Sequence, residues 1–266
     1  LLALASVSAG VYSQPPAKPE IPFARGEELV YQAEFNRSLL RGINVGELRF
    51  SARPSASAHA SADATGLKLI GDATAKGFLL KLFGSHFSLH VESVVDGESF
   101  AALRTKKVEE DRRRVRISEA VFDHNANKVT WTVGNRNQTE PPSVTTLDFT
   151  DPIQDILTVI YFVRTQRLQP GQTFDVPLTD NNQVYRCSVA VVERKKLKTI
   201  LGRVDTVRVE PAIFGDDRVI RSRGTLSIWV TDDARRIPVK AQLKVPLGTF
   251  DITLKRISYG RAETRR

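Results

Sequence analysis

The chain has 266 residues, a formal charge of +9 and a pI near 9.8, with 41% hydrophobic and 26% charged residues. A chain of this size buries roughly 70–75% of its unfolded surface, so it needs no metal or disulfide staple. Cys187 is the one cysteine, which excludes an intrachain disulfide and reads as a small buried hydrophobe in a strand.

The first residues, Leu1-Leu2-Ala3-Leu4-Ala5, form a short apolar run followed by small residues suited to cleavage, Val7-Ser8-Ala9 or Val11-Tyr12-Ser13. Residues 1–13 therefore read as the remnant of a secretory signal. An ordinary buried amino-terminal segment is the competing reading. The run is too short to anchor in a bilayer, and with no nearby cysteine a lipoprotein anchor is not indicated. Residues 14–21, rich in proline, read as an extended linker. A single mainly-β domain is expected over 22–260, with a polar tail at 261–266. The expectation is an exported, periplasmic bacterial protein with no transmembrane span.

Strands are expected at Glu28–Phe35 and Ile43–Arg53, joined by a loop, then at Leu67–Ala75, Phe87–Val95, Phe100–Val108, Arg113–Phe122 and Lys128–Val133. Pro54–Ala64 is rich in Ser and Ala. Gly77–Phe83 suits a short helix or a buried strand equally. Asp123–Asn127 is a turn.

One amphipathic helix stands out near 152–167. Asp151 offers an N-cap, Pro152 a first helical residue, and Ile153, Ile156, Leu157, Ile160, Tyr161 and Val163 recur at helical spacing. Its apolar girth reads as a core helix, with a partner-binding or membrane-surface helix as the alternative.

Strands follow near Thr173–Leu178, Val184–Arg194, Lys198–Val209 and Val219–Thr231. The clearest pattern is the final meander. Leu226, Ile228 and Val230 alternate with polar residues, as do Ile237, Val239, Ala241, Leu243 and Val245, then Phe250, Ile252 and Leu254. Successive strand side chains face opposite ways, so one face is buried and one is wet. The fold class is thus all-β, mainly antiparallel, a curled sheet or barrel-like, with one helix. A sheet of about a dozen strands must curl or split, and a closed or half-closed barrel would hold a cavity.

The chemistry is sparse. His86 and His90 would lie about 13 Å apart on a strand, too far to share a metal. His124 reads as a solvated turn residue. There is no nucleophile elbow, phosphate loop or dinucleotide fingerprint, so no catalytic residue, metal or cofactor is assigned. The acidic pairs Asp216-Asp217 and Asp232-Asp233 read as hydrated turns. The basic clusters Arg104/Lys106/Lys107, Arg112–Arg116 and Arg194–Lys198 suit either a solvated strand face or attraction to anionic lipid or polysaccharide. Nothing suggests nucleic acid.

Three residues are candidates for ligand binding. Trp229 lies opposite the apolar face of the meander. It could pack beneath another segment, sit half exposed beside Lys240 or Gln242, or line a groove. Trp131 invites the same readings, and Lys240 is the cation nearest Trp229.

Four motifs carry a family resemblance: Pro22–Tyr31 with Gly42–Leu48, Phe122–His124 with Lys128–Trp131, Gln154–Leu157 with Tyr161–Arg164, and Ile228–Asp233 with Arg236–Val239. In order and spacing they resemble the exported bacterial family known as domain of unknown function 3108, from about Pro22 to Tyr259. The resemblance implies an exported antiparallel β-protein and no reaction. The leading expectation is a non-catalytic envelope protein that binds or helps handle an amphiphilic or anionic ligand, a lipid or a polysaccharide. The alternatives are an assembly module contacting other envelope proteins and a glycan hydrolase with two carboxylates facing each other across a cleft.

Overall fold

The computed structural model describes residues 21, 23, 26–55, 66–77, 87–111, 114–136, 140–150 and 153–260. The signal and linker readings (apart from Ile21), the polar tail, almost all of Gly77–Phe83 and the Asp151-Pro152 cap lie outside them.

Among the described residues fifteen strands form one sheet. They are β1 Glu27–Arg37, β2 Leu40–Ser55, β3 Gly66–Ala75, β4 Phe87–Val95, β5 Ala102–Asp111, β6 Arg114–Asp123, β7 Lys128–Asn135, β8 Ser143–Asp148, β9 Gln154–Asp155, β10 Thr173–Asp180, β11 Gln183–Thr199, β12 Gly202–Pro211, β13 Thr225–Thr231, β14 Pro238–Val245 and β15 Gly248–Tyr259. Among the described residues one helix, α1, spans Thr158–Thr165. Every pairing is antiparallel except β9 with β10. The mainly antiparallel sheet expected from the alternation is therefore what forms.

The strand order explains why the sheet curls. β1 lies in the middle, paired with β2 on one side and β15 on the other, and the two arms run out to β8 and β9. Laid flat, those edges would be about 65–70 Å apart at the usual strand spacing. Yet only the five residues 149–153 join β8 to β9, and so short a connector reaches about 20 Å. The chain must bring its edges together, which makes the sheet barrel-like.

β8 and β9 do not pair with each other. Buried side chains close the seam instead. Trp131 Nε1 donates to Thr179 Oγ1 at 2.9 Å, Thr105 Oγ1 to Asp155 Oδ2 at 2.5 Å, and Lys107 Nζ to Asp180 Oδ1 at 2.7 Å. A buried polar group is tolerated when it finds such partners.

The final meander has the register its alternation calls for. Leu226 faces Leu243, Ile228 faces Ala241, and Ala241 and Leu243 face Ile252 and Phe250. The strand expected at Val219–Thr231 starts later, at Thr225, because residues 219–224 belong to an irregular loop with one bridge between Phe214 and Ile220. Gly248 turns β14 into β15 at φ +155°, where an added Cβ would meet Phe35 Cε2 at 2.6 Å.

The helix is shorter than the expected 152–167. Gln154 and Asp155 are drawn into the sheet alongside Leu178 and Thr179, so helix begins only at Thr158. Its first free N–H groups, those of Leu157 and Thr158, are taken by the Asp155 carboxylate at 2.7 and 2.9 Å.

Candidate functional site

α1 lies against the concave side of the sheet. Leu157 and Tyr161 join a cluster with Leu67, Leu69, Val91 and Phe23, while Val159 and Val163 pack on Val176, Leu178, Val189 and Val209. Phe162 touches both clusters. The helix therefore stands between the two arms of the sheet.

What fixes it is an ion pair. Arg164 Nη1 and Nη2 donate to the two carboxylate oxygens of Glu27 at 2.6 and 2.9 Å, and Nη2 also donates to the Arg235 carbonyl at 3.0 Å. Both side chains are only 1% exposed. The guanidinium also sits 4.7 Å from the centre of the Phe23 ring. The sequence places Arg164 at the end of a family motif but does not show its burial or its partner, since an arginine in the last helical turn ordinarily points to water.

Beside the helix is an apolar groove with two lobes. The larger, about 280 Å³, lies between Ile156, in the turn before α1, together with the helix face of Val159, Ile160 and Val163, and the inner side of β10–β13, with Cys187 and Val209 in its wall. The smaller, about 220 Å³, lies between Ile160, Tyr161 and Arg164 and the inner side of β1, β2, β14 and β15. Ile160, Leu226, Ile228 and Pro238 line both lobes, so the two adjoin across these side chains. Val159, Ile160 and Val163 fall at the spacing of one helical stripe.

The walls carry almost no polar surface. The phenol of Tyr161 is raised well above its ordinary pKa, chiefly by burial, and stays neutral. Burial likewise raises the Cys187 thiol. Such a lining can hold a hydrocarbon chain.

The structure separates the three candidate ligand residues. Trp229 and Lys240 face each other across β13 and β14, with the ammonium 5.6 Å from the ring centre. Trp229 is half buried at the fringe of the Leu29–Tyr31–Val239 cluster and lines neither lobe. Lys240 lines the smaller lobe and pairs with Asp251 at 3.2 Å. Trp131 is 1% exposed and belongs to the seam, so its place is in the core and not in the groove.

Other expectations are refined. His124 is not simply solvated: its Nε2 donates to the Ala102 carbonyl at 2.7 Å and its ring stacks on Phe122. His90 bonds Asp72, its cross-strand neighbour, at 2.7 Å. Lys107, read within a basic surface cluster, is buried and bonded to Asp180 and Asn181. Arg104, Arg194 and Lys196 pair with Glu119, Asp232 and Asp205, which breaks up the basic clusters. Asp233 caps its own turn by accepting from the N–H groups of Arg235 and Arg236. Among the described residues no helix is long and apolar enough to cross a membrane.

Among curated proteins none is significantly similar to this chain. Among solved structures, a β-barrel-like protein of the domain of unknown function DUF1849 from Brucella abortus is similar at a TM-score of 0.59 and 9% identity, over 90% of this chain and 99% of that one. At that identity the likeness shows the fold alone. A candidate exported protein of YmcC-like fold from Bacteroides fragilis aligns at 9% identity over 90% of this chain and 98% of that one, with a TM-score of 0.34 that says nothing further about the fold. The model of a family described as a protein of unknown function, DUF3108, matches residues 30–255, so the chain belongs to the DUF3108 family.

Proposed function

We propose that this chain is a non-catalytic envelope protein that holds the hydrocarbon part of an amphiphile in the groove beside α1. One observation carries the reading: two adjoining lobes, about 280 and 220 Å³, meet at Ile160, and both have apolar walls. Well-packed cores leave few voids larger than a water molecule, so a groove of this size is not ordinary packing. Export to the periplasm is part of the proposal and rests on the signal-like sequence of residues 1–13.

Displacement of a fluorescent fatty-acid probe from the purified full chain tests it. The probe is expected to bind, and Ile160→Trp, which puts an indole where the lobes meet, is expected to weaken it at least about tenfold with the melting temperature maintained. Equal binding by the two proteins would remove the groove as the site.

A second reading, contact with another envelope protein through a sheet edge, is favoured by β8. Its outer edge is unpaired among the described residues, and Val144 is 66% exposed there. Ser143–Asp148 carries no lysine or proline to discourage pairing. Val144→Lys should abolish any such partner contact and leave probe binding unchanged.

A further inference from the structure

The larger lobe opens beneath an irregular loop, residues 212–224, that contributes Ile213, Val219 and Ile220 to its wall. Ile220 lines the lobe and is 37% exposed, so it marks the mouth. Arg218 and Arg221 flank Val219-Ile220 in the sequence. Each is held by one bond to β11. Arg218 Nη1 donates to the Arg186 carbonyl at 2.6 Å, and Arg221 Nη2 donates to Gln183 Oε1 at 3.2 Å. Arg218 is also close enough to Cys187, on the lobe wall, for its charge to oppose the effect of burial on the thiol.

Among the described residues neither Arg218 nor Arg221 has a carboxylate within ion-pair distance, although Asp216 and Asp217 share the loop. Arg186 differs, since Asp175 satisfies it at 2.6 Å. Two guanidinium groups are thus tethered to β11 by the loop whose Val219 and Ile220 line the lobe, with donors to spare, although the charge of Arg218 also reaches Asp175. A guanidinium fork matches the paired oxygens of a phosphate or carboxylate and holds them more strongly than a neutral donor does.

We propose that Arg218 and Arg221 bind the anionic head, phosphate or carboxylate, of the amphiphile whose chain enters the larger lobe. This rests on the groove being a hydrocarbon site. It adds the sign of the head and the end of the groove at which it sits.

Calorimetric titration of the full chain with dodecyl phosphate, with uncharged dodecyl maltoside and with inorganic phosphate tests both statements apart, each amphiphile kept below its micelle concentration. Dodecyl phosphate is expected to bind at least about tenfold more tightly than the maltoside. Arg218→Gln/Arg221→Gln should lose about ten- to a hundredfold for dodecyl phosphate and little for the maltoside. Equal affinity for the two amphiphiles, unchanged in the double variant, would overturn the head-group site and leave the groove standing. Inorganic phosphate binding as tightly as dodecyl phosphate would make the arginines a free-anion site and overturn the coupling to the chain. No binding of either amphiphile would remove the groove and the head-group site together. Ile160→Trp, titrated alongside, should weaken both amphiphiles alike, which separates chain binding from head binding.

Discussion

Arg164 and Glu27, 137 residues apart in sequence, meet through two hydrogen bonds of 2.6 and 2.9 Å in a site almost closed to water. Removing one partner of such a pair leaves a buried charge with nothing to oppose it. Arg164→Met is therefore expected to cost about 3–5 kcal/mol, and Glu27→Gln a comparable amount. Replacing both, as Arg164→Met/Glu27→Leu, should recover most of that loss, because a desolvated pair and a packed apolar pair are close in energy. Urea unfolding at neutral pH reads all three. A loss below about 1 kcal/mol for either single variant would show the pair to be solvated.

The seam between the arms depends on single side-chain bonds where other strand boundaries have ladders. Thr179 Oγ1 accepts from Trp131 Nε1 and donates to the Gln183 carbonyl at 2.9 Å. Thr179→Val keeps the shape and strands both partners. It should cost about 1–3 kcal/mol, the penalty for a buried polar group left unsatisfied. Hydrogen exchange should show the extra opening at β9 and β10 before β1 and β15. Uniform loss of protection across the sheet would mean that the seam is no weaker than the ladders.

Asp155 gives a pH dependence with a definite sign. Burial raises its carboxyl above the ordinary 3.8, against the hydrogen bonds from Thr105, Thr158, Ser93 and Leu157. Between the unfolded and the raised folded pKa, the folded protein binds more protons, so this group's contribution to stability falls as pH rises through that window. Asp155→Asn keeps an acceptor for the Leu157 and Thr158 N–H groups and does not titrate. The stability of wild type minus that of Asp155→Asn should therefore fall as pH rises from below the ordinary value. It should level off once the folded pKa is passed. A difference that rises or stays flat across acid denaturant titrations would contradict the assignment.

Much of the sheet was legible because alternation is local: Leu226, Ile228, Ala241, Leu243 and Ile252 announce their shared face without reference to anything distant. β8 was not, because Ser143-Val144-Thr145-Thr146-Leu147 holds two apolar residues on opposite faces and follows two prolines. The helix end was misplaced because β10 captures Gln154 and Asp155, a pairing that no short window shows. The roles of Lys107 and Arg164 depend on Asp180 and Glu27, 73 and 137 residues away. A long cation reads as solvated until its partner is known. The groove is harder still to read, because the same apolar periodicity describes a filled core and a hollow one.

Cys187 reports directly on whether the larger lobe is closed and occupied. It is 2% exposed in the lobe wall, and burial raises its thiol above the ordinary value, so little thiolate exists at neutral pH. The thiolate is the reactive species. Labelling with a disulfide reagent such as DTNB should be at least about a hundredfold slower in the native protein than in guanidinium, since each 1.4 kcal/mol or so of opening free energy is tenfold. An amphiphile that binds the closed state alone must lower the open population by mass action. Dodecyl phosphate at about a hundred times its dissociation constant should therefore slow native labelling about a hundredfold more. The same addition should slow labelling of Ile160→Trp by only about tenfold or less, since its affinity is down at least about tenfold. Fast native labelling would mean that the wall around Cys187 is open. Slow labelling that ignores the amphiphile would mean that the chain does not reach this lobe.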